Sequence, residues 1–189
     1  MPAPNESSST PAPNTVVLVD EAGRELGTAD KVECHRGRGR LHRALTCLLF
    51  DDQRRLLFAR RAAAKPLWPG YWDATVATHQ APGEPDIEAT CRRVRQELAA
   101  DARDVIRPTQ ILYHAQYNED WAERELCAVL LARVAEPLTP APDEIDDLTW
   151  IALDDLSAFT ASEPIAPWFL LAWQALQRDH ADELKSWLG

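Results

Sequence analysis

Three histidines and two closely spaced glutamates are the residues of this sequence best suited to hold a metal ion: His35, His42 and His79, with Glu123 and Glu125 on either side of Arg124. The histidines precede or lie within segments that read as strands, and the glutamates stand at a strand start. Residues i and i+2 of a strand face the same way, so both carboxylates project to one side. Three imidazoles and two carboxylates make a five-ligand set for an octahedral divalent metal, with one position left for water or substrate. Spacing alone does not single the set out, because an isolated histidine is more often a core or surface residue, and Glu-x-Glu on a strand more often a solvated face. A second group, Glu84, Arg92, Arg93 and Glu97, opens and follows a predicted helix. Glu84 and Glu97 could hold a metal and Arg93 an anion, but without further context a solvated helix face is the favoured reading. Lys31, Arg61 and Lys65 add cations near strand ends and gain meaning only if they converge.

The elements that must position these groups read as one mixed α/β (α+β) domain over residues 15–189, after a Pro/Ser/Ala/Asn tail over residues 1–14 that lacks apolar anchors. Residues 15–27 read as strand, turn and returning strand, and residues 36–40 (RGRGR) as a flexible basic loop. Residues 44–50 are a buried strand, with residues 56–60 returning as its hairpin partner. Residues 72–79 read as a strand alternating between two faces, which puts Asp73 and Thr75 on the side of Ala77; Asp73 could serve a longer substrate as acid or base, but a solvated strand-end acid is the favoured reading. The clearest helix spans residues 86–100, with Ile87, Cys91, Val94 and Leu98 as its apolar stripe. Residues 111–117 and 124–134 form a further strand pair, with His114 turned away from the face of Tyr113. Residues 147–151 are a late strand, and residues 167–188 a helix with a Trp- and Leu-rich face.

Composition narrows the function classes. Thirty acidic against twenty basic side chains give a formal charge of −10, which argues against a nucleic-acid-binding face. An anionic substrate then has to be met by a local basic cluster or by metal. No apolar run, residues 44–50 among them, approaches the roughly 18 residues of a membrane span. The N-terminal stretch has neither the positive start nor the apolar core of a secretory signal. Four cysteines without a CxxC pair read as reduced thiols of a cytoplasmic protein.

Three stretches carry a more specific signal. TADKVECHRGRGRLHRALTCLLF (residues 28–50), LLFARRAAAKPLWPGYWDATVATHQAPGE (56–84) and AERELC (122–127) resemble the type I isopentenyl-diphosphate isomerases, a family with the Nudix fold. The likeness runs nearly ungapped from about residue 15 to residue 178. The resemblance implies an α/β/α sandwich and an enzyme acting on a small-molecule prenyl diphosphate of open chain length, most simply as a monomer, with no nucleic-acid partner and no membrane span. It places metal ligands on His35, His42, His79, Glu123 and Glu125, for Mg²⁺, Mn²⁺ or Zn²⁺. Diphosphate-binding cations fall on Lys31, Arg61, Lys65 and Arg93, and Glu97 matches the glutamate that holds Mg²⁺ against the diphosphate. Tyr113 and Glu125 match the proton-handling pair on one face of the alkene, and Trp168 the aromatic facing a carbocation.

One position departs from the family. Its catalytic cysteine stands two residues before the third histidine, where this chain has Ala77, and the following glycine is Thr78. Alanine cannot give or take a proton, so ordinary isomerisation is expected to be crippled while metal and diphosphate binding persist. The expected activity is alkene protonation by Tyr113 and Glu125, ending in altered isomerisation or in terpene-type cyclisation. The competing readings are a Nudix diphosphate hydrolase and a non-catalytic prenyl-diphosphate binder. Hydrolysis is disfavoured, because Arg93 and Gln96 stand where the general Nudix box wants glutamates.

Overall fold

The computed structural model describes residues 14–74 and 76–189. The tail expected over residues 1–14 lies outside the described residues apart from Asn14, and so does Thr75. The fold is organised around β3 (His42–Phe50), whose sequence HRALTCLLF is apolar on both sides from Ala44 onward. Alternate residues face opposite ways. Leu45, Cys47 and Leu49 enter one core with Val94 and Leu98, while Leu48 and Phe50 enter another with Phe58, Phe169 and Leu176. A strand buried on both faces needs layers on both sides, which is why helices sandwich the sheet.

The sheet has nine strands. β1 (Thr15–Val19) and β2 (Glu25–Asp30) form the expected hairpin, and β1 touches β3 through Leu18 and His42. β7 (Arg103–Gln116) and β8 (Ala122–Arg133) form a second antiparallel pair, and β8 runs parallel to β3 over nine residue pairs. That parallel ladder fixes the site, because its register sets His42 beside Glu125, while the β7–β8 register sets Tyr113 beside Glu125.

β4 (Leu56–Arg61) meets β3 at one pair only, Phe50 with Leu56, and otherwise pairs with β9 (Ile145–Ile151) and β5 (Trp72–Asp73). The hairpin expected of residues 56–60 therefore closes at its turn but does not continue, because β6 (Val76–Thr78) pairs with β3 instead. Residues 72–79 are not one alternating strand. Val76 donates its N–H to the Ala74 carbonyl at 3.0 Å, a tight bend that ends β5 and starts β6 on a different neighbour.

Of the helices, α2 (Asp86–Leu98) ends at Ala99, whose left-handed backbone returns its N–H to the Arg95 carbonyl. Its buried face is Ala89, Thr90, Val94, Glu97 and Leu98. The stripe expected from Ile87 and Cys91 is rotated: Ile87 is 47% exposed, and Thr90, Val94 and Leu98 at i, i+4 and i+8 face the sheet instead. The single helix expected over residues 167–188 is two, α4 (Pro167–Asp179) and α5 (Ala181–Leu188), broken at His180. Phe169, Ala172 and Leu176 of α4 lie fully buried on the sheet. Two shorter helices complete the chain, α1 (Lys31–His35) and α3 (Leu156–Ser162). Among the described residues no helix is long and apolar enough to cross a membrane.

Candidate active site

His35 comes not from a strand but from the last turn of α1, whose start is capped by Asp30 accepting from the Glu33 N–H. One helical turn sets Lys31 and His35 on one face. The RGRGR loop that follows is pinned rather than free. Gly37 donates its N–H to the Asp120 carbonyl, and Arg40 to the Cys34 carbonyl at 2.8 Å. Gly39 has positive φ and lies where a Cβ would meet the Ala122 carbonyl at 3.2 Å, so the loop can approach the start of β8 closely. The loop then delivers His42 at the first residue of β3. His79 follows the last residue of β6, and Glu123 and Glu125 open β8 on one face.

These five side chains converge. One ligand atom from each of His35, His42, His79, Glu123 and Glu125 lies within 4.8 Å of every other. His35 Nδ1 is 2.6 Å from the Lys31 carbonyl and His42 Nδ1 is 2.7 Å from the Arg40 carbonyl. A carbonyl only accepts, so Nδ1 carries the proton in both rings and Nε2 turns a lone pair inward. Inside, His35 Nε2 stands 2.8 Å from Glu123 Oε2, an oxygen with no hydrogen-bond donor. His42 Nε2 stands 2.9 Å from His79 Nε2, and His79 Nε2 is 3.0 Å from Glu125 Oε1. Lone pairs pressed this close require protons or a cation between them, and the mix of imidazole and carboxylate suits a divalent metal. The residues present fit such an ion.

Glu125 also accepts the Tyr113 hydroxyl, with 2.5 Å between Oη and Oε2. Burial works to raise the Glu125 carboxyl, but the His42 hydrogen bond and charge outweigh it, and with Tyr113 they hold it at about 2. Burial and the charges of Glu125 and Glu123 push Tyr113 well above its ordinary value. The pair therefore keeps its proton on the tyrosine oxygen. Burial and the cations around it drive His79 well below its usual value, keeping it neutral. For His35, burial is overridden by the Glu123 carboxylate and the net shift is upward.

The cluster opens into a cavity of about 240 Å³ lined by Lys31, Arg61, Lys65, Tyr113, Trp121 and Trp168, with Ala77 and Cys127 also on its wall. Three of the four expected diphosphate cations thus share one cavity. Desolvation and the neighbouring Lys65 and Arg93 charges lower Lys31, opposed by Glu123 and Glu144, so these charges interact across a small space. Arg93 stands behind, ion-paired to Glu97 and, at 3.1 Å, to Glu144, which also pairs with Lys65. Burial raises Glu97 to about 7 despite Arg93 beside it. Glu84 belongs elsewhere: it is bound by Arg92 and lies outside the metal cluster. Trp168 stands edge-on to Trp68 at 5.3 Å, with Arg61 5.2 Å from its ring centre.

Cys127 and Glu144 escaped the sequence reading of this region, and the solvated position favoured for Asp73 is overturned. Asp73 is not solvated: it is 2% exposed, and its Oδ1 accepts the Trp168 indole N–H at 2.8 Å while Oδ2 lies 3.4 Å from Arg61. Burial raises its carboxyl, opposed by Arg61 and by the Trp168 and Ala74 donors. Cys127, two residues beyond Glu125 on the same face, lines the cavity, and burial and Glu125 hold its thiol well above the ordinary range. Glu144 has no sequence signal at all, because it stands in the loop before β9 and acts through residues far away in the chain.

The class follows from comparison with known proteins. A NUDIX domain model matches residues 40–171, from the loop before β3 into α4. Among solved structures, a protein of Deinococcus radiodurans superposes with a TM-score of 0.66 at 19% identity, over 85% of this chain and 98% of its own. The MutT protein of Methanosarcina mazei superposes with a TM-score of 0.57 at 16% identity, over 74% and 94%. At these identities the likeness establishes the fold, an α/β/α Nudix sandwich. Sequence relatives are closer. The isopentenyl-diphosphate Delta-isomerase of Agromyces mediolanus is 40% identical over 172 residues, covering 88% of this chain and 84% of the relative. That of Haloarcula marismortui is 38% identical over 164 residues, covering 83% and 88%. The chain belongs to the isopentenyl-diphosphate Delta-isomerase family.

Proposed function

We propose that this protein is a metal-dependent enzyme that protonates the alkene of a prenyl diphosphate to a tertiary carbocation and completes an isomerase-type reaction. The observation that carries this reading is the buried Tyr113 hydroxyl, donating to Glu125 in the same cavity that Lys31, Arg61 and Lys65 line. The three cations bind the diphosphate and so set the alkene at a fixed depth. There Tyr113 and Glu125 act as one acid: the tyrosine proton passes to an alkene carbon as the π pair forms the new C–H bond. The Trp168 ring faces the carbon left positive, where its π-electrons favour developing charge. Exclusion of water from this wall keeps the cation from being trapped as an alcohol.

A divalent ion held by His35, His42, His79, Glu123 and Glu125 would supply fixed positive charge that orders the carboxylates, with Mg²⁺, Mn²⁺ or Zn²⁺ all compatible with the donors. By the family resemblance, Glu97 would hold a second ion, Mg²⁺, for the diphosphate, and Arg93, once freed from Glu97 and Glu144, would meet the phosphate oxygens.

The outcome of the cation is set by what Ala77 lacks. No thiol stands there to take the second proton, so the cation goes to another base, or to an internal alkene in a longer substrate. A cavity of about 240 Å³ lies below the usual range for large ligands. It fits a five-carbon tail better than a folded terpene chain, which favours double-bond movement over cyclisation. Incubation with Mg²⁺ and prenyl diphosphates of five to twenty carbons tests the reading. A rearranged or cyclised product that keeps its diphosphate supports it. Phosphate release with an unrearranged alcohol points to a hydrolase, and tight binding without conversion to a binding protein.

A further inference from the structure

We propose that Asp73 is the second catalytic proton-handling residue, taking from the Ala77 side the proton that a cysteine at position 77 would take; this rests on the reading above. The argument is one of placement. After β5 the chain bends tightly at Ala74, so Asp73 and Ala77, which an unbroken strand would hold far apart, line one small cavity of about 10 Å³. Ala77 also lines the substrate cavity, as do Arg61 and Lys65. Ala77, Arg61 and Lys65 are thus common to the two spaces. A cysteine at position 77 would add a sulfur between Asp73 and the substrate cavity, whereas alanine presents only a methyl group there.

The carboxyl is oriented for the task. Its Oδ1 is held by the Trp168 indole N–H at 2.8 Å and by the Ala74 N–H at 2.7 Å. Among the described residues its Oδ2 has only the long 3.4 Å contact to Arg61, which leaves that oxygen open to accept a proton. Trp168 thus ties Asp73 to the ring that faces the cation. The charged and titratable groups around it are Arg61 of β4, Lys65 of the following loop, Glu97 of α2, Glu144 before β9 and Cys127 of β8. Arg61 and Lys65 favour its ionised form, while burial makes that carboxylate a stronger base than a surface aspartate. In the step, the C–H bond next to the cation breaks, its electron pair forms the new C=C bond, and the proton goes to Asp73 Oδ2. Asp73 then loses that proton to solvent, and Tyr113 and Glu125 regain theirs, so each turnover exchanges one proton in and one out.

A second observation bears on position 77. Thr46 is fully buried, its hydroxyl has no hydrogen-bond partner among the described residues, and the β3–β6 register sets it beside Ala77. A polar side chain restored at position 77 has a partner waiting.

The test compares the wild type with Asp73→Asn and with the double variant Asp73→Asn, Ala77→Cys, on the substrate the wild type converts best. The inference predicts that Asp73→Asn lowers kcat by roughly 10²–10⁴-fold, with KM within threefold and the thermal midpoint retained. The double variant recovers at least tenfold of the lost kcat. If Asp73 merely positions Trp168 and Arg61, KM rises with the loss of kcat and the thiol restores nothing, which overturns the inference. A kcat for Asp73→Asn within threefold of wild type overturns it while leaving the proposed function intact, whereas no conversion by the wild type overturns both. Should the asparagine variant not fold, Asp73→Ser, which keeps a hydroxyl for the Trp168 N–H, carries the same comparison.

Discussion

Tyr113 and Glu125 sit directly opposite each other on β7 and β8, and the tyrosine hydroxyl donates to the carboxylate across 2.5 Å. Both groups are buried, and their surroundings push them in opposite directions, the carboxyl down and the phenol up. Transfer of this proton to an alkene is uphill and depends on stabilising the cation as it forms. Glu125→Gln is expected to cut turnover by about 10²–10⁴-fold, with diphosphate affinity changed little, as read by product formation beside calorimetric binding. Tyr113→Phe should lower turnover with a normal KM. Full activity in both variants would move the acid elsewhere.

The ligand cluster makes its own prediction. Alanine at His35 or His79 should lower bound divalent metal below one equivalent by elemental analysis. Metal added to chelator-treated protein should raise its thermal midpoint, since a ligand at a hundred times its Kd stabilises by about 2.7 kcal/mol. Unchanged stoichiometry in both variants would remove the five-ligand site.

The cations predict binding rather than chemistry. Lys65→Ala removes a charged contact to the diphosphate, a loss of about 1.5–3 kcal/mol, and should raise KM by roughly 10- to 100-fold at little cost in kcat. A reduced kcat at unchanged KM would show that Lys65 acts on the reacting carbons instead.

Glu97 gives a pH signature. Its folded-state value is raised to about 7 from 4.5, so the folded protein holds that proton more tightly than the unfolded chain. The stability this confers is complete below pH 4.5 and is lost as pH rises through about 7. The loss is on the order of 3 kcal/mol, from 7 minus 4.5 at about 1.4 kcal/mol per unit. The difference in urea-unfolding free energy between wild type and Glu97→Gln should shrink or reverse by that amount between pH 4 and 8. A pH-independent difference would mean that Arg93 and Lys65 already hold Glu97 ionised.

Much of the site was legible through the family resemblance of residues 28–50, 56–84 and 122–127, since spacing alone did not single the residues out. The His35, His42, His79, Glu123 and Glu125 set, with Lys31, Arg61 and Lys65, lies on segments whose alternation and caps are local properties. The errors arose where tertiary pairing overrode local pattern. The 72–79 segment alternates in sequence, yet β4 and β3 compete for it and the bend at Ala74 divides it, which buries Asp73 against Trp168, 95 residues away. His35 was read toward a strand because the five residues of α1 are too few for a helical period to show. Ile87 was read into the apolar stripe because the pattern fixes a period but not the helix rotation, which the burial of Thr90 and Glu97 decides.

The central claim, that an alkene is protonated from a buried acid while the diphosphate is retained, is tested most directly in D₂O. Isopentenyl diphosphate is incubated with the metal-loaded wild type, and the product is read by NMR and mass spectrometry. The account predicts a rearranged product carrying one deuterium bound to carbon, with no phosphate released, and loss of that label with Glu125→Gln. A product without carbon-bound deuterium, or phosphate released with an unrearranged alcohol, would contradict it.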